Sequence, residues 1–111
     1  MEMSRAIDAL TALGHPTRLG SFRLLVEAGA DGRVAGDIAE ALGVPNATLS
    51  FHLKELVHAG LVENEVAGRN VRYRADFEAM GALVAYLTEN CCAGSRGAGC
   101  APAAGKGKRR G

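Results

Sequence analysis

The sequence predicts a mainly α-helical domain with one small β-hairpin. Five segments before residue 90 carry apolar residues at the spacing of an amphipathic helix. Between the fourth and fifth segments, LVENEV and VRYRA alternate apolar and polar residues on either side of the turn AGRN, as hairpin strands do. We expect a folded domain over 1–90, followed over 91–111 by a Gly/Ala-rich basic tail that is flexible apart from its cysteines.

Four helices are expected before the hairpin. The first two run from about 3 to 13 and from 17 to about 27, and a loop of glycine, histidine and proline separates them. A short third helix spans about 35–42, and a fourth begins at Asn46 or Pro45 and ends near residue 58. Two short helices joined by a glycine-containing turn, here 43–45, are the pattern of a helix-turn-helix, although an ordinary helical hairpin has the same local signature.

The hairpin after the fourth helix extends this pattern to a winged helix-turn-helix. Glu63 and Glu65 on its first strand and Arg72 and Arg74 on its second alternate with apolar residues, so opposite charges are expected to pair across it. A last helix is expected over about 76–90. Its apolar face lies at the edge of a small domain and needs a partner, so we expect a homodimer.

Composition and charge limit the classes of function. Residues 1–90 hold eight Lys and Arg against twelve Asp and Glu, a net charge of −4, whereas residues 91–111 carry five basic residues and no acid. The folded part can therefore bind nucleic acid only through a local basic face. No apolar run approaches the ~18 residues of a membrane span, and no signal peptide is evident, so we expect a cytoplasmic protein without membrane contact. No arrangement of nucleophile and base predicts an enzyme.

Residues 7–89 carry a series of short motifs: ALGHPTRL (12–19), DIA (37–39) with TLSFHLKEL (48–56), AGLV (59–62), GR (68–69) and VRY (71–73). In this order they resemble the ArsR/SmtB family of bacterial winged helix-turn-helix repressors. The first resembles the opening motif of the family, DIA with TLSFHLKEL resembles its recognition-helix motif, and the last three follow its usual run into the wing. The resemblance implies a homodimeric repressor that binds a palindromic operator in double-stranded DNA and dissociates when its metal binds.

The recognition helix supplies most of the candidate DNA contacts, because its N-terminal residues are expected nearest the base edges of the major groove. The amide of Asn46 can pair bidentately with adenine, and Thr48 fits either a base or a phosphate. Phe51 stands where the family usually has a polar or basic residue, and it fits either a thymine methyl group or the wing. His52 fits a structural or phosphate-contacting role better than metal ligation. The full set of candidates is Asn46, Thr48, Ser50, His52, Lys54, Arg69 and Arg72.

The only thiols of the chain are Cys91, Cys92 and Cys100, in the segment NCCAGSRGAGC. Trivalent arsenic and antimony are soft, pyramidal centres that three thiolates satisfy, so this number of cysteines fits such an ion. Adjacent cysteines on a regular helix diverge by about 100° around its axis. Both sulfurs therefore reach one ion only if the helix frays there, and the neighbouring glycines supply that freedom.

The resemblance limits which ions we expect the protein to sense. Some arsenite-sensing members carry a cysteine pair in a stretch that corresponds to residues 32–38, where this chain has none. Zinc-sensing members carry Asp and His ligands along the last helix, which has no histidine here. A smaller set of arsenite sensors has an adjacent cysteine pair and a third cysteine at the end of that helix, as in this chain. We therefore expect As(III) or Sb(III) to be the inducer, while oxidation of the thiols or binding of Cd(II), Pb(II) or Zn(II) stay open.

Overall fold

A computed structural model describes residues 1–94, so Cys100 and the predicted flexible basic tail lie largely outside the described residues. Within that range the chain forms five helices and a small antiparallel sheet. None of these helices is long and apolar enough to cross a membrane. The elements are α1 (Met3–Leu13), α2 (Pro16–Ala28), β1 (Arg33–Val34), α3 (Ala35–Leu42), α4 (Asn46–His58), β2 (Val62–Ala67), β3 (Asn70–Ala75) and α5 (Phe77–Thr88).

Local capping explains where two of the helices begin. At the start of α2, the His15 side chain accepts a hydrogen bond from the amide of Thr17, and Pro16 occupies the first helical position. At the start of α5, the Asp76 carboxylate accepts from the amide of Ala79. Helix α5 is therefore slightly shorter than predicted, because Asp76 is its cap and the helix ends at Thr88.

The sheet contains one strand more than the predicted hairpin. Strands β2 and β3 form the expected wing, and β1 pairs antiparallel with the outer side of β3, so the order is β1-β3-β2. The added strand is only Arg33–Val34, with Arg33 opposite Tyr73. Two residues are too few to produce a recognisable alternation in the sequence. This strand ties the base of the wing to the start of α3.

The core lies where α2, α3 and α4 meet under the sheet. Its largest fully buried side chains come from all of these helices and from the residue that precedes β2. Their burial contributes most of the stability that holds the helix-turn-helix in shape. These side chains are Leu25, Ile38, Leu49, Leu53, Leu56 and Leu61.

Helices α1 and α5 contact each other and expose much of their apolar surface. In α1 the buried positions are alanines, Ala6 and Ala9 among them, while the larger Ile7 remains 53% exposed. In α5, Leu83 is buried, but Val84 and Leu87 are 55% and 56% exposed. Ile7, Val84 and Leu87 therefore belong to an outward apolar surface rather than to the monomer core. Such a surface is typical of an interaction face.

Candidate DNA interface and thiol site

The turn between α3 and α4 sets the position of the recognition helix. Gly43 ends α3 in the left-handed conformation, with φ of 69°, and its amide donates to the carbonyl oxygens of Ala39 and Glu40. Pro45 is extended, with φ of −64° and ψ of 149°, and α4 begins at the next residue. Asn46 consequently stands exposed at the N-terminus of α4, where a duplex can approach it.

Helix α4 has one buried and one exposed face. Leu49, Leu53 and Leu56 point into the core and anchor the helix. The opposite face is exposed and includes four of the predicted DNA contacts, so these side chains can reach a duplex, and their contacts with bases or phosphates stay predictions. The four residues are Asn46, Thr48, Ser50 and Lys54.

His52 lies between the two faces and is 9% exposed. Its Nδ1 atom is 3.0 Å from Nη1 of Arg18, and its ring stacks on that of His15, with 4.3 Å between the ring centroids. Because a guanidinium can only donate, Nδ1 of His52 accepts and the ring is neutral with its proton on Nε2. Of the two roles predicted for His52, structural support and phosphate contact, this geometry favours structural support.

Arg18 connects three helices through its guanidinium group. Besides its bond to His52 on α4, its Nε donates to the carbonyl oxygen of Ala12, 2.6 Å away, in the last turn of α1. Arg18 itself lies on α2. The residue belongs to the motif ALGHPTRL, but this role was missed because its partner on α4 is 34 positions away in sequence. Arg18 and His15 thus join the predicted His52 in holding the recognition helix to the rest of the domain.

Burial lowers the pKa of His52 below its ordinary value of 6.5, and the electrostatic effects of the neighbouring His15 and Arg18 lower it further, against an opposing effect of Glu55. The unfolded chain therefore takes up this proton more readily than the folded one. We expect neutral His52 to make its full contribution to the free energy of unfolding above pH 6.5. This contribution should be lost as the pH falls from there through the lowered pKa of the folded state. Urea unfolding at about pH 7.5 and at about pH 5.5 measures this difference.

The matched variants are His52→Gln and His58→Gln. Glutamine at position 52 still offers an oxygen to Arg18 but does not titrate, so the loss of stability at acid pH should shrink. His58 is an exposed histidine on the same helix, and its replacement should leave that loss unchanged. Equal acid losses in the wild type and in His52→Gln would contradict the assignment.

The wing carries both signs of charge. Arg74 and Glu65 form an ion pair of 2.8 Å, so the predicted pairing across the hairpin is confirmed, although this pair is diagonal and Glu65 lies opposite Arg72 in the register. Arg72 instead donates from Nη1 to the carbonyl oxygen of Asp31, which ties the wing to the loop before β1. Arg69 is exposed at the tip of the hairpin. Phosphate contacts by Arg69 and by the remaining donors of Arg72 stay predictions.

The cysteine pair lies just beyond α5, outside its helical hydrogen bonding. Asn90 and Cys92 both have positive φ, 59° and 63°, so the backbone turns at these positions instead of continuing the helix. The amide of Cys91 donates to the carbonyl oxygen of Thr88, and the Sγ atoms of Cys91 and Cys92 are 3.5 Å apart. Cys91 is exposed and Cys92 is half-buried. The two sulfurs are therefore close together at the surface.

Within residues 1–94, no three His, Cys, Asp or Glu side chains are grouped closely enough to hold a metal ion. A site of three sulfurs needs Cys100, which lies outside the described residues. The described part thus supplies two members of the predicted ligand set, Cys91 and Cys92, with their sulfurs close together.

Comparison with known proteins agrees with this architecture. A family of helix-turn-helix domains matches residues 13–65. The transcriptional regulator YgaV of Escherichia coli is 28% identical over 88 residues, which are 79% of this chain and 87% of the relative. A solved structure named as a possible transcriptional regulator for arsenical resistance is 29% identical, with a TM-score of 0.64 over 72% of this chain and 80% of that one.

A second solved structure is the homodimeric winged helix-turn-helix DNA-binding domain of a possible ArsR-family regulator from Mycobacterium bovis. It is 26% identical, with a TM-score of 0.63 over 86% of this chain and 89% of that one. The fold and its exposed recognition helix define a winged helix-turn-helix DNA-binding regulator of transcription and not an enzyme. More narrowly, the chain is similar to solved structures named as a possible ArsR-family regulator and as a possible regulator for arsenical resistance, and it shares their fold.

Proposed function

We propose that the protein is a homodimeric repressor that leaves its operator when As(III) or Sb(III) binds Cys91, Cys92 and Cys100. The observation that carries this proposal is the pair of sulfurs 3.5 Å apart directly after the last helix. Two thiolates that bind one pyramidal ion have to lie about this close to each other. On a regular helix they would diverge by about 100°, and the turn at Asn90 and Cys92 removes this obstacle.

Three sulfurs satisfy the ion without any other ligand. In the reduced protein, each cysteine thiol forms one As–S bond, and its proton leaves with one hydroxide of arsenous acid as water, so three thiols and As(OH)₃ give As(SR)₃ and three waters. Thiolate sulfur is the ligand that soft ions prefer. The intervening residues between Cys92 and Cys100 give ample chain length for the third sulfur to reach the pair.

A dimer follows from the exposed apolar surface of α1 and α5. Burying Ile7, Val84 and Leu87 against a second copy would remove from water three apolar side chains that are each more than half exposed in the monomer. The relative from Mycobacterium bovis is itself homodimeric. Two recognition helices in one dimer would occupy operator half-sites about one helical turn apart.

The position of the cysteines supplies the coupling to DNA. They follow α5 directly, so an ion held there orders the end of a helix that contributes to the dimer interface. A change of a few ångströms in the separation of the two recognition helices prevents both from docking at once. To take the operator from nearly full to nearly empty, the ion has to favour the released form by about 5 kcal/mol.

On the operator, we assign base contacts to the N-terminal part of α4 and phosphate contacts to basic residues around it. Asn46 and Ser50 are exposed where α4 would enter the major groove, with Thr48 at its edge. Lys54 and Arg69 lie exposed on α4 and on the wing tip. Their contacts to phosphate would fix the register of the dimer on the duplex without reading sequence.

The test is a titration of the protein on labelled duplex from upstream of its own gene, with fluorescence anisotropy as the readout. We expect low concentrations of arsenite or antimonite to release the DNA while the protein stays dimeric by sedimentation, and zinc to be a much weaker inducer. Binding to this DNA that no trivalent arsenic or antimony reverses would overturn the proposed inducer. Release by peroxide in metal-free buffer, reversed by a thiol reductant, would instead assign the cysteines to redox sensing.

A further inference from the structure

The exposed face of the recognition helix has an aromatic side chain at its centre. Phe51 is 58% exposed, in a helix whose three leucines are all buried. It shares its face with Ala47, one turn before it, and with Lys54, one turn after it. The buried stripe of Leu49, Leu53 and Leu56 lies on the opposite side of α4. The neighbours of Phe51 along the exposed face are thus a methyl group and a cation.

The Phe51 ring is held in position from inside the domain. It packs edge-on against His52, with ring centroids 5.2 Å apart and an interplanar angle of 70°. His52 in turn stacks on His15 and bonds to Arg18. An exposed phenylalanine that leans on a buried and hydrogen-bonded ring loses little further freedom on binding, which favours a specific contact.

We propose that Phe51 is a specificity-determining residue that recognises thymine through its C5-methyl group in the major groove. This inference rests on the proposed binding of operator DNA. The thymine methyl is the one apolar group that base pairs present in that groove, and apolar side chains read it by contact. The small side chain of Ala47 leaves room for the methyl group beside the ring, and Lys54 can bind the adjacent phosphate.

The position of Phe51 separates it from the apolar surface assigned to the dimer. That surface lies on α1 and α5, whereas Phe51 is on α4 among the exposed polar residues Ser50 and Lys54. A lone aromatic residue in a polar surface is a poor protein-docking patch. On a helix that enters the major groove, a single aromatic side chain is instead suited to contact one apolar group among the polar edges of the bases.

The experiment replaces single thymines of the operator duplex by deoxyuracil, which removes the methyl group and keeps every hydrogen bond. The duplex is the tightest binder that the wild-type protein selects from a random pool. We expect one thymine in each half-site whose replacement weakens wild-type binding about fourfold, the effect of losing one buried methyl group. A cytosine at that position should bind more weakly still, and 5-methylcytosine should recover part of the loss.

The variant is Phe51→Ser, with Phe77→Ser as the matched control at the other exposed phenylalanine of the described residues. Phe51→Ser should bind thymine and uracil duplexes equally, and Phe77→Ser should keep the fourfold difference. A uracil penalty that persists in folded Phe51→Ser, or no position with a penalty in the wild type, would overturn the inference while leaving DNA binding intact. Selection of no duplex by the wild-type protein would overturn the proposed function, and this inference with it.

Discussion

The double variant Cys91→Ser, Cys92→Ser is expected to remain on its operator at arsenite concentrations that release the wild-type protein. Serine keeps the size of the side chain but offers a hard oxygen in place of a soft sulfur. Two of the three proposed As–S bonds are then lost. Most of the roughly 5 kcal/mol that drives release is lost with them. An anisotropy titration with arsenite on bound DNA should show no release at concentrations a hundredfold above the wild-type midpoint, about 2.7 kcal/mol or more of lost coupling.

The single variants sharpen this test. Cys100→Ser should weaken the response to arsenite but keep a response to singly methylated trivalent arsenic, which needs only two thiolates. Cys91→Ser or Cys92→Ser alone should weaken both responses more than Cys100→Ser does, because neither variant keeps the adjacent pair of sulfurs. DNA affinity without arsenite should be unchanged in the Cys91→Ser and Cys92→Ser variants, because both of these cysteines follow α5 and neither belongs to α4 or the wing. Normal arsenite release in the double variant would rule out this site as the inducer site.

Periodicity and capping signals predicted the helices well. α1, α3 and α4 have the predicted bounds, since glycine or proline stands at an end of each one and the apolar spacing is regular. Periodicity did not indicate which face of α1 is buried. The spacing of Ile7 and Leu10 suggested an apolar stripe, and both are exposed while Ala6 and Ala9 pack inside. Alanines allow the close approach of α1 to its neighbours, and the larger residues are left for a second surface.

The sequence predicted those features of the candidate site that depend on residues close to one another along the chain. The exposed N-terminal half of α4 followed from the helix-turn-helix pattern and the leucine spacing. The Arg18–His52 contact and the bond from Arg72 to the Asp31 carbonyl oxygen join residues 34 and 41 positions apart, and no pattern in a single sequence marks such pairs. Stereochemistry led us to expect that the helix frays at the cysteines, because two adjacent sulfurs on a regular helix diverge and cannot both reach one ion. The backbone does leave the helix there.

Gly32→Ala is expected to cause the largest loss of stability of any single substitution considered. Gly32 has φ of 63° and ψ of −163°, a region that side chains disfavour, and it lies between the end of α2 and β1. A Cβ atom at this position would overlap the carbonyl oxygen of Tyr73 and lie 2.6 Å from Cγ of Arg74. Because Tyr73 pairs with Arg33, the overlap would push β3 away from β1 at the base of the wing. We expect a loss of about 3 kcal/mol or more in the free energy of unfolding.

Gly29→Ala separates the two causes of that loss. Gly29 has nearly the same backbone conformation, with φ of 69° and ψ of −147°, but no atom lies within 4 Å of an added Cβ. Its substitution should therefore cost only the backbone strain, about 1–2 kcal/mol. Thermal unfolding followed by circular dichroism should place Gly32→Ala well below Gly29→Ala, by about 5 °C or more. Equal melting temperatures would mean that β3 yields to the added methyl group and that β1 does not fix the base of the wing. In that case Gly32→Ala should also bind operator DNA as the wild type does, because the position of the wing would not depend on this contact.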